Sequence, residues 1–285
     1  MKHILSTPLL LLACASLTAC SAFSDDEELS DPAEEVTAES SESEAGQLYN
    51  QARGKLVEKQ YVEAIADFEE VERRYPFSDL AIRSQVMAAY TAYEAREYDQ
   101  AISILDRYTR LHPGDKSVPY AYYLVALSQY EQISDVGRDQ KITELAMQSL
   151  TDVLRRFPNT DYARDAKLKL DLTIDHLAGK EMEIGRYYQR RDEFLAAINR
   201  FRFVVENYQT TSHIPEALHR LVETYTAIGL EQEANRYAAV LGHNYPSSVW
   251  YRDSYQIATG EVVGESGAVQ ADDEEEEGWF KKLIP

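Results

Sequence analysis

Residues 61–76 read YVEAIADFEEVERRYP. Ala64, Ile65, Phe68 and Val71 recur at steps of three and four residues, so on a helix they fall on one side. Tyr75 and Pro76 close the run, because proline disfavours helix in the residue before it. With the closing position as register, the stripe returns as Ala101, Leu105, Tyr108 and Pro113, then as Ala146, Leu150, Val153 and Pro158. It returns again as Ala197, Phe201, Val204 and Gln209, and last as Ala234, Ala238, Leu241 and Pro246. In all five copies alanine stands twelve residues before the closing position.

Each striped helix follows a second apolar-patterned segment, so the unit is a helical hairpin that buries its face only by stacking on neighbours. The pattern predicts an all-α fold: an α-solenoid of five degenerate tetratricopeptide (TPR) helical hairpins over residues 45–257, with disordered acidic flanks. The closing positions lie 37, 45, 51 and 37 residues apart, which brackets a TPR period of about 34 residues with insertions in the third and fourth units. The order alanine, aromatic, small or apolar residue, proline resembles the second half of the TPR signature. Of the first half, only Gly185 falls on the expected glycine. The expected pairs are 45–60 with 61–75, 80–96 with 98–111, 118–133 with 141–157 across an insertion at 134–139, 162–189 as one long helix with 194–208, and 215–228 with 231–244. A short helix over 247–257 would cap the end.

The amino terminus is a separate object. Lys2 and His3 make a polar start, residues 9–12 an apolar centre, and Leu17-Thr18-Ala19-Cys20 a small-residue end, the layout of a secretory signal. The apolar run is too short to span a bilayer. Leu17-Thr18-Ala19-Cys20 resembles the bacterial lipobox, which implies cleavage after residue 19, an S-diacylglycerol and an N-acyl chain on Cys20, and anchoring without spanning. Cys14 then leaves with the signal, and the mature chain keeps no thiol for a disulfide, metal or nucleophile. Ser21 follows the lipidated position; lipoproteins of this kind without aspartate there are moved to the outer membrane, so the expected location is its periplasmic face.

Formal charge is −20, and its distribution matters more than its size. Residues 25–44 hold ten acidic and no basic residues, and 261–285 hold eight acidic residues against Lys281 and Lys282, whereas 45–260 carry 31 acidic and 26 basic. Segments so charged cannot bury enough apolar surface to order themselves. Residues 20–44 read as a tether and 258–285 as a tail. The tail ends in GWFKKLIP, whose Trp279, Phe280, Leu283 and Ile284 suit a docking peptide or a membrane-surface contact. No basic face stands out, which argues against nucleic acid. The chain has no phosphate loop, nucleophile elbow or H-E-x-x-H pair, and its histidines are scattered, so neither catalysis nor a cofactor nor a metal is expected.

Twenty tyrosines are many for this length. With TPR geometry, Tyr49, Arg53, Leu56 and Val57 would face the concave groove, joined by Val86, Tyr90 and Tyr93, then by Tyr120, Tyr123 and Tyr130. Tyrosine offers broad contact area with a polar tip at low entropic cost, which suits an extended aromatic peptide. The other reading packs these rings between helices.

Arg74-Tyr75-Pro76-Phe77, Ala88-Ala89-Tyr90-Thr91-Ala92-Tyr93, Tyr98-Asp99-Gln100-Ala101, Arg107-Tyr108-Thr109-Arg110-Leu111-His112-Pro113, Arg156-Phe157-Pro158-Asn159-Thr160-Asp161-Tyr162-Ala163 and Ile198-Asn199-Arg200 resemble segments of the BamD family of outer-membrane assembly lipoproteins. The resemblance implies a non-enzymatic scaffold of the β-barrel assembly complex. Its partners would be the POTRA domains of BamA, the other lipoproteins of that complex and unfolded outer-membrane β-barrel proteins. By repeat position it implies substrate holding at Tyr49, Arg53, Tyr90, Tyr93 and Tyr123, and BamA contact at Tyr187, Arg190, Arg191 and Arg200. Another periplasmic TPR lipoprotein, an adaptor in cell-wall remodelling or division, is the alternative. An enzyme on a helical solenoid would need a catalytic domain, and here the repeats consume the chain.

Overall fold

In the computed structural model, residues 43–134 and 140–259 are described, and they form eleven helices and no strand. The signal, Cys20, most of the tether, insertion residues 135–139 and the tail with its GWFKKLIP end lie outside the described residues. The helices are α1 (Glu44–Val57), α2 (Tyr61–Arg74), α3 (Asp79–Glu94), α4 (Tyr98–Leu111), α5 (Val118–Tyr130), α6 (Lys141–Arg156), α7 (Asp161–Gln189), α8 (Phe194–Asn207), α9 (Ile214–Ala227), α10 (Glu231–Asn244) and α11 (Val249–Thr259). Glu44, read as the end of the tether, opens the first helix, whose amino terminus is capped by the Ser43 hydroxyl accepting from the Gly46 amide at 3.0 Å.

Successive helices pair as five antiparallel hairpins, each packed on the next, with α11 laid across α9 and α10. The α-solenoid expected from the stripe is the observed architecture. First helices touch one another along the rows α1, α3, α5 and α7. Second helices splay, leaving a cleft of about 890 Å3 between α2 and α4 lined by Glu69, Arg73, Ser103 and Arg107. The first helices therefore line the inside of the curve.

The stripe that begins at Ala64 is buried in every copy: Ala64, Phe68 and Val71, Ala101, Leu105 and Tyr108, Ala146, Leu150 and Val153, Ala197, Phe201 and Val204, and Ala234, Ala238 and Leu241. Five second helices end alike. Tyr75, His112, Phe157, Tyr208 and Tyr245 each cap with φ between −124° and −136° and ψ between 44° and 54°, and each donates its amide to the carbonyl four residues back. The turns inside the hairpins repeat as well. Lys59, Arg96, Asp192 and Gly229 all sit at φ between 60° and 76°. The next amide in each reaches back five residues, from Gln60 to the Lys55 carbonyl and from Glu97 to that of Ala92, which is the Schellman closure of a helix end. Only one of the four is glycine, the residue that occupies this region without a Cβ clash.

α7 runs unbroken for 29 residues through Gly179 and Gly185. Gly185 is there for proximity: a methyl at this position would run into the Phe201 ring of α8. The end of the array is held by polar groups. Buried His219 on α9 donates from Nε2 to Glu223 at 3.3 Å and accepts from the Ser254 hydroxyl of α11 at 2.9 Å, with its ring 5.2 Å from that of Trp250. Ser254, His219 and Glu223 follow the order of a hydrolase triad, yet the serine is 0% exposed and no substrate reaches it, so the set is a latch for the capping helix. Burial pushes the Glu223 carboxyl up, but hydrogen bonds from His219, Gln189 and Arg220 outweigh it and hold the group at about 2.

Gly185→Ala is expected to destabilise the fold by about 1–3 kcal/mol in urea unfolding, because overpacking exceeds the gain of about 1 kcal/mol in helix propensity. Arg96→Gly is expected to stabilise by about 0.5–1 kcal/mol, while Gly229→Ala costs about 1 kcal/mol, in the same assay. The folded value of Glu223 lies below its ordinary 4.5, so its stabilisation is complete above that pH and vanishes as pH falls through about 2. Glu223→Gln should therefore cost about 1–3 kcal/mol at pH 7 and progressively less towards pH 2, seen as a flatter plot of Tm against pH.

Candidate functional site

Two surfaces gather the residues that the sequence singled out. The first is the inner face of α3, α5 and the start of α7. Tyr90 and Tyr93 are half-buried there, one helical turn apart. Tyr93 packs its ring 5.7 Å from that of Tyr98, and burial together with the charge of Glu131 pushes its hydroxyl up to about 12, so the phenol stays neutral and can donate. Tyr162, at the start of α7, bridges Tyr120 at 5.5 Å and Tyr123 at 5.4 Å. Lys169 stands over the Tyr130 ring at 5.9 Å and pairs with Asp165 at 2.7 Å. The result is an aromatic surface with one fixed cation and one fixed carboxylate, suited to extended chain segments that present aromatic side chains.

Several expectations for this surface are corrected. Tyr49 is 0% exposed, its ring edge-on to Phe68 at 5.5 Å, because it lies on the α1 face that α2 covers. Val86 is buried for the same reason, between α3 and its neighbours. Tyr123 is 4% exposed and donates to Asp165 of α7, so it supports the inner face instead of presenting a ring to it. Leu56 packs against the core and Val57, the last residue of α1, is exposed. Arg53 is half-buried on α1. Tyr162, Asp165 and Lys169 were missed. The i, i+4 spacing of Asp165 and Lys169 was visible, but which face it occupied depended on where α7 met α5.

The second surface is the corner where α7 turns into α8, with Tyr187, Arg190 and Arg191 at the turn and Arg200 on the second turn of α8. Tyr187 is 48% exposed and stands edge-on to Tyr188 at 5.6 Å. The Arg191 guanidinium lies 5.4 Å from the Tyr187 ring centre, donates to the Tyr187 hydroxyl at 3.2 Å and pairs with Glu193 at 3.0 Å. Arg190 is the exposed cap of α7. Arg200 reaches back from α8 to Glu181 at 3.0 Å. Arg200 also lines a cleft of about 280 Å3 with Tyr188, Ala196, Asn199 and Phe203. Phe203 is 42% exposed, and Leu195, one turn before Asn199 on α8, is 71% exposed. An exposed aromatic-arginine corner with a small cleft has the make-up of a protein-binding hot spot.

Among the described residues no helix is long and apolar enough to cross a membrane, and no cluster of three His, Cys, Asp or Glu side chains could hold a metal ion.

A family model described as outer membrane lipoprotein, YfiO, matches residues 41–254. The chain is 50% identical to the outer membrane protein assembly factor BamD of Caulobacter vibrioides over 210 residues, covering 74% of this chain and 69% of that one. Against the BamD of Rickettsia prowazekii the identity is 47% over 210 residues, covering 74% and 84%. The BamD of Neisseria meningitidis serogroup A is 33% identical over 219 residues, covering 73% and 82%. The match runs through all five hairpins, and the chain belongs to the YfiO family of outer membrane lipoproteins, which takes in these BamD assembly factors.

Proposed function

We propose that this protein is a non-enzymatic scaffold of outer-membrane β-barrel assembly. It is anchored by the lipid on Cys20 at the periplasmic face of the outer membrane, holds unfolded outer-membrane proteins on its inner tyrosine face, and engages the BamA POTRA region through the corner of Tyr187, Arg190, Arg191 and Arg200. Other lipoproteins of the complex share the assembly. The observation that carries the reading is the separation of two chemically distinct surfaces on one helical array. The aromatic face belongs to hairpins two to four and the arginine corner to the turn of hairpin four. The relatives' shared designation as assembly factors supports it.

Mechanistically, an unfolded β-barrel protein exposes strand edges that pair with other chains and aggregate. Tyr90, Tyr93, Tyr120 and Tyr130 offer apolar area to alternate side chains of such a strand, while Lys169 and the neutral hydroxyls offer partners to its backbone. Binding need not be tight. A scaffold tethered beside its partner raises the local concentration of bound substrate to about the millimolar range, so weak contacts suffice for handover. The energy of insertion need not come from this chain.

The test separates the two surfaces. A peptide carrying the last strand of a β-barrel protein, with its terminal aromatic, is titrated against the protein, and capture of BamA is measured in parallel. Tyr90→Ala with Tyr93→Ala should weaken the peptide about tenfold and leave BamA capture unchanged. Arg200→Glu should do the reverse. Equal loss of both by either variant, or loss of neither, overturns the assignment.

A further inference from the structure

We infer that the carboxy-terminal segment, residues 272–285, docks back on the α7–α8 corner and competes there with the partner; this rests on the partner reading given above for that corner. The segment reads DDEEEEGWFKKLIP, six consecutive acids followed by two aromatics, two lysines and two aliphatic residues. The corner has the complementary order of chemistry. Arg190 and Arg191 stand in the turn that ends α7, and Arg200 on α8 lines the cleft itself; of these Arg190 has no carboxylate partner among the described residues. Leu195 and Phe203 stand beside a cleft of about 280 Å3, roomy enough for one aromatic side chain. Glu181 and Glu193, which already hold Arg200 and Arg191, would meet Lys281 and Lys282.

Length permits the contact. The last described residue is Thr259, on α11, which packs on α9, and α9 packs on α8. Neighbouring helix axes lie about 8–10 Å apart, so the corner is about 20 Å away in layers. The twelve residues 260–271 include three glycines, Gly260, Gly264 and Gly267. A coil of twelve residues spans about 20 Å on average and more when extended. A segment so tethered has an effective concentration of about 1 mM, and a contact of about 0.1 mM affinity would keep about nine molecules in ten closed. The apparent affinity for the partner then falls about tenfold.

Two tryptophans, Trp250 and Trp279, make the contact measurable. The full chain carrying Cys20→Ser, so that no detergent is needed, and Trp250→Phe reports on Trp279 alone. Docking predicts blue-shifted emission and acrylamide quenching several-fold weaker than that of a free indole, independent of protein concentration. Leu195→Asp with Phe203→Asp should restore quenching to the free value, with helicity checked by circular dichroism. Arg190→Glu, outside the cleft, should restore it in part and keeps the test open should the double variant fail to fold. In the Cys20→Ser chain, truncation after Thr259 should raise affinity for BamA about tenfold. Free quenching of Trp279 overturns the docking even if BamA still binds. Protection that depends on protein concentration points to a second copy, and protection only on adding phosphatidylglycerol vesicles points to a lipid surface; either overturns it. Loss of BamA binding in the truncated chain, with Trp279 protected in the full one, overturns the competition, whereas absence of BamA binding in every form, with Trp279 still protected, overturns the partner reading alone.

Discussion

A helical hairpin has two apolar faces and covers only one of them itself. The second helices of this array bury an alanine and two further apolar residues against both the first helix of their own hairpin and the helix that follows. Alanine at the same place in all five lets the backbones approach closely enough for the larger residues to interlock. Stability is then close to a sum over neighbours, and the two ends are where the rule must be broken. At the amino end α1 turns Gln47, Asn50 and Gln51 outward to water. At the other end α11 covers the last hairpin, with Tyr251 close against Gly242 and Ser254 latched to His219.

The second helices were readable because they are covered on one side only. A half-covered helix keeps a clean 3.6-residue period, and the proline after it supplies the register. First helices lie between two neighbours and another row, so they bury most of their circumference: α3 hides ten of its sixteen residues. The α5 sequence VPYAYYLVALSQY is apolar nearly all round, and no period marks which tyrosine points where. That is why Tyr123 reads as a groove residue while it is packed between helices. The partner that fixes Tyr123, Asp165, lies 42 residues away in sequence, and no local pattern announces such a contact. The α7–α8 corner was more legible. Tyr187, Arg190 and Arg191 lie close in sequence at one short turn, which places them side by side whatever the rest of the chain does.

Charge divides by role. In the solenoid, carboxylates and arginines meet along or between helices, as where Arg107 grips Glu72 with two hydrogen bonds of 3.0 and 2.9 Å. In water such pairs contribute at most about 1 kcal/mol each. The run from Arg186 through Glu216, Arg220 and Glu223 to His219 differs, because it joins α7, α9 and α11 and is partly shielded from solvent. It ties the last turn of the long helix to the cap.

The unequal spacing of the two rows has a mechanical meaning. The inner row is in contact and resists compression, while the outer row is separated by clefts such as the one of about 890 Å3 between α2 and α4. An array built in this way is stiff against tighter curling and compliant towards straightening, since flattening closes empty outer space before it strains any packed side chain. Flattening also spreads the tyrosines of the inner face. Segments of different bulk can therefore be accommodated by a change of curvature shared among hairpins, with no rearrangement inside any one of them.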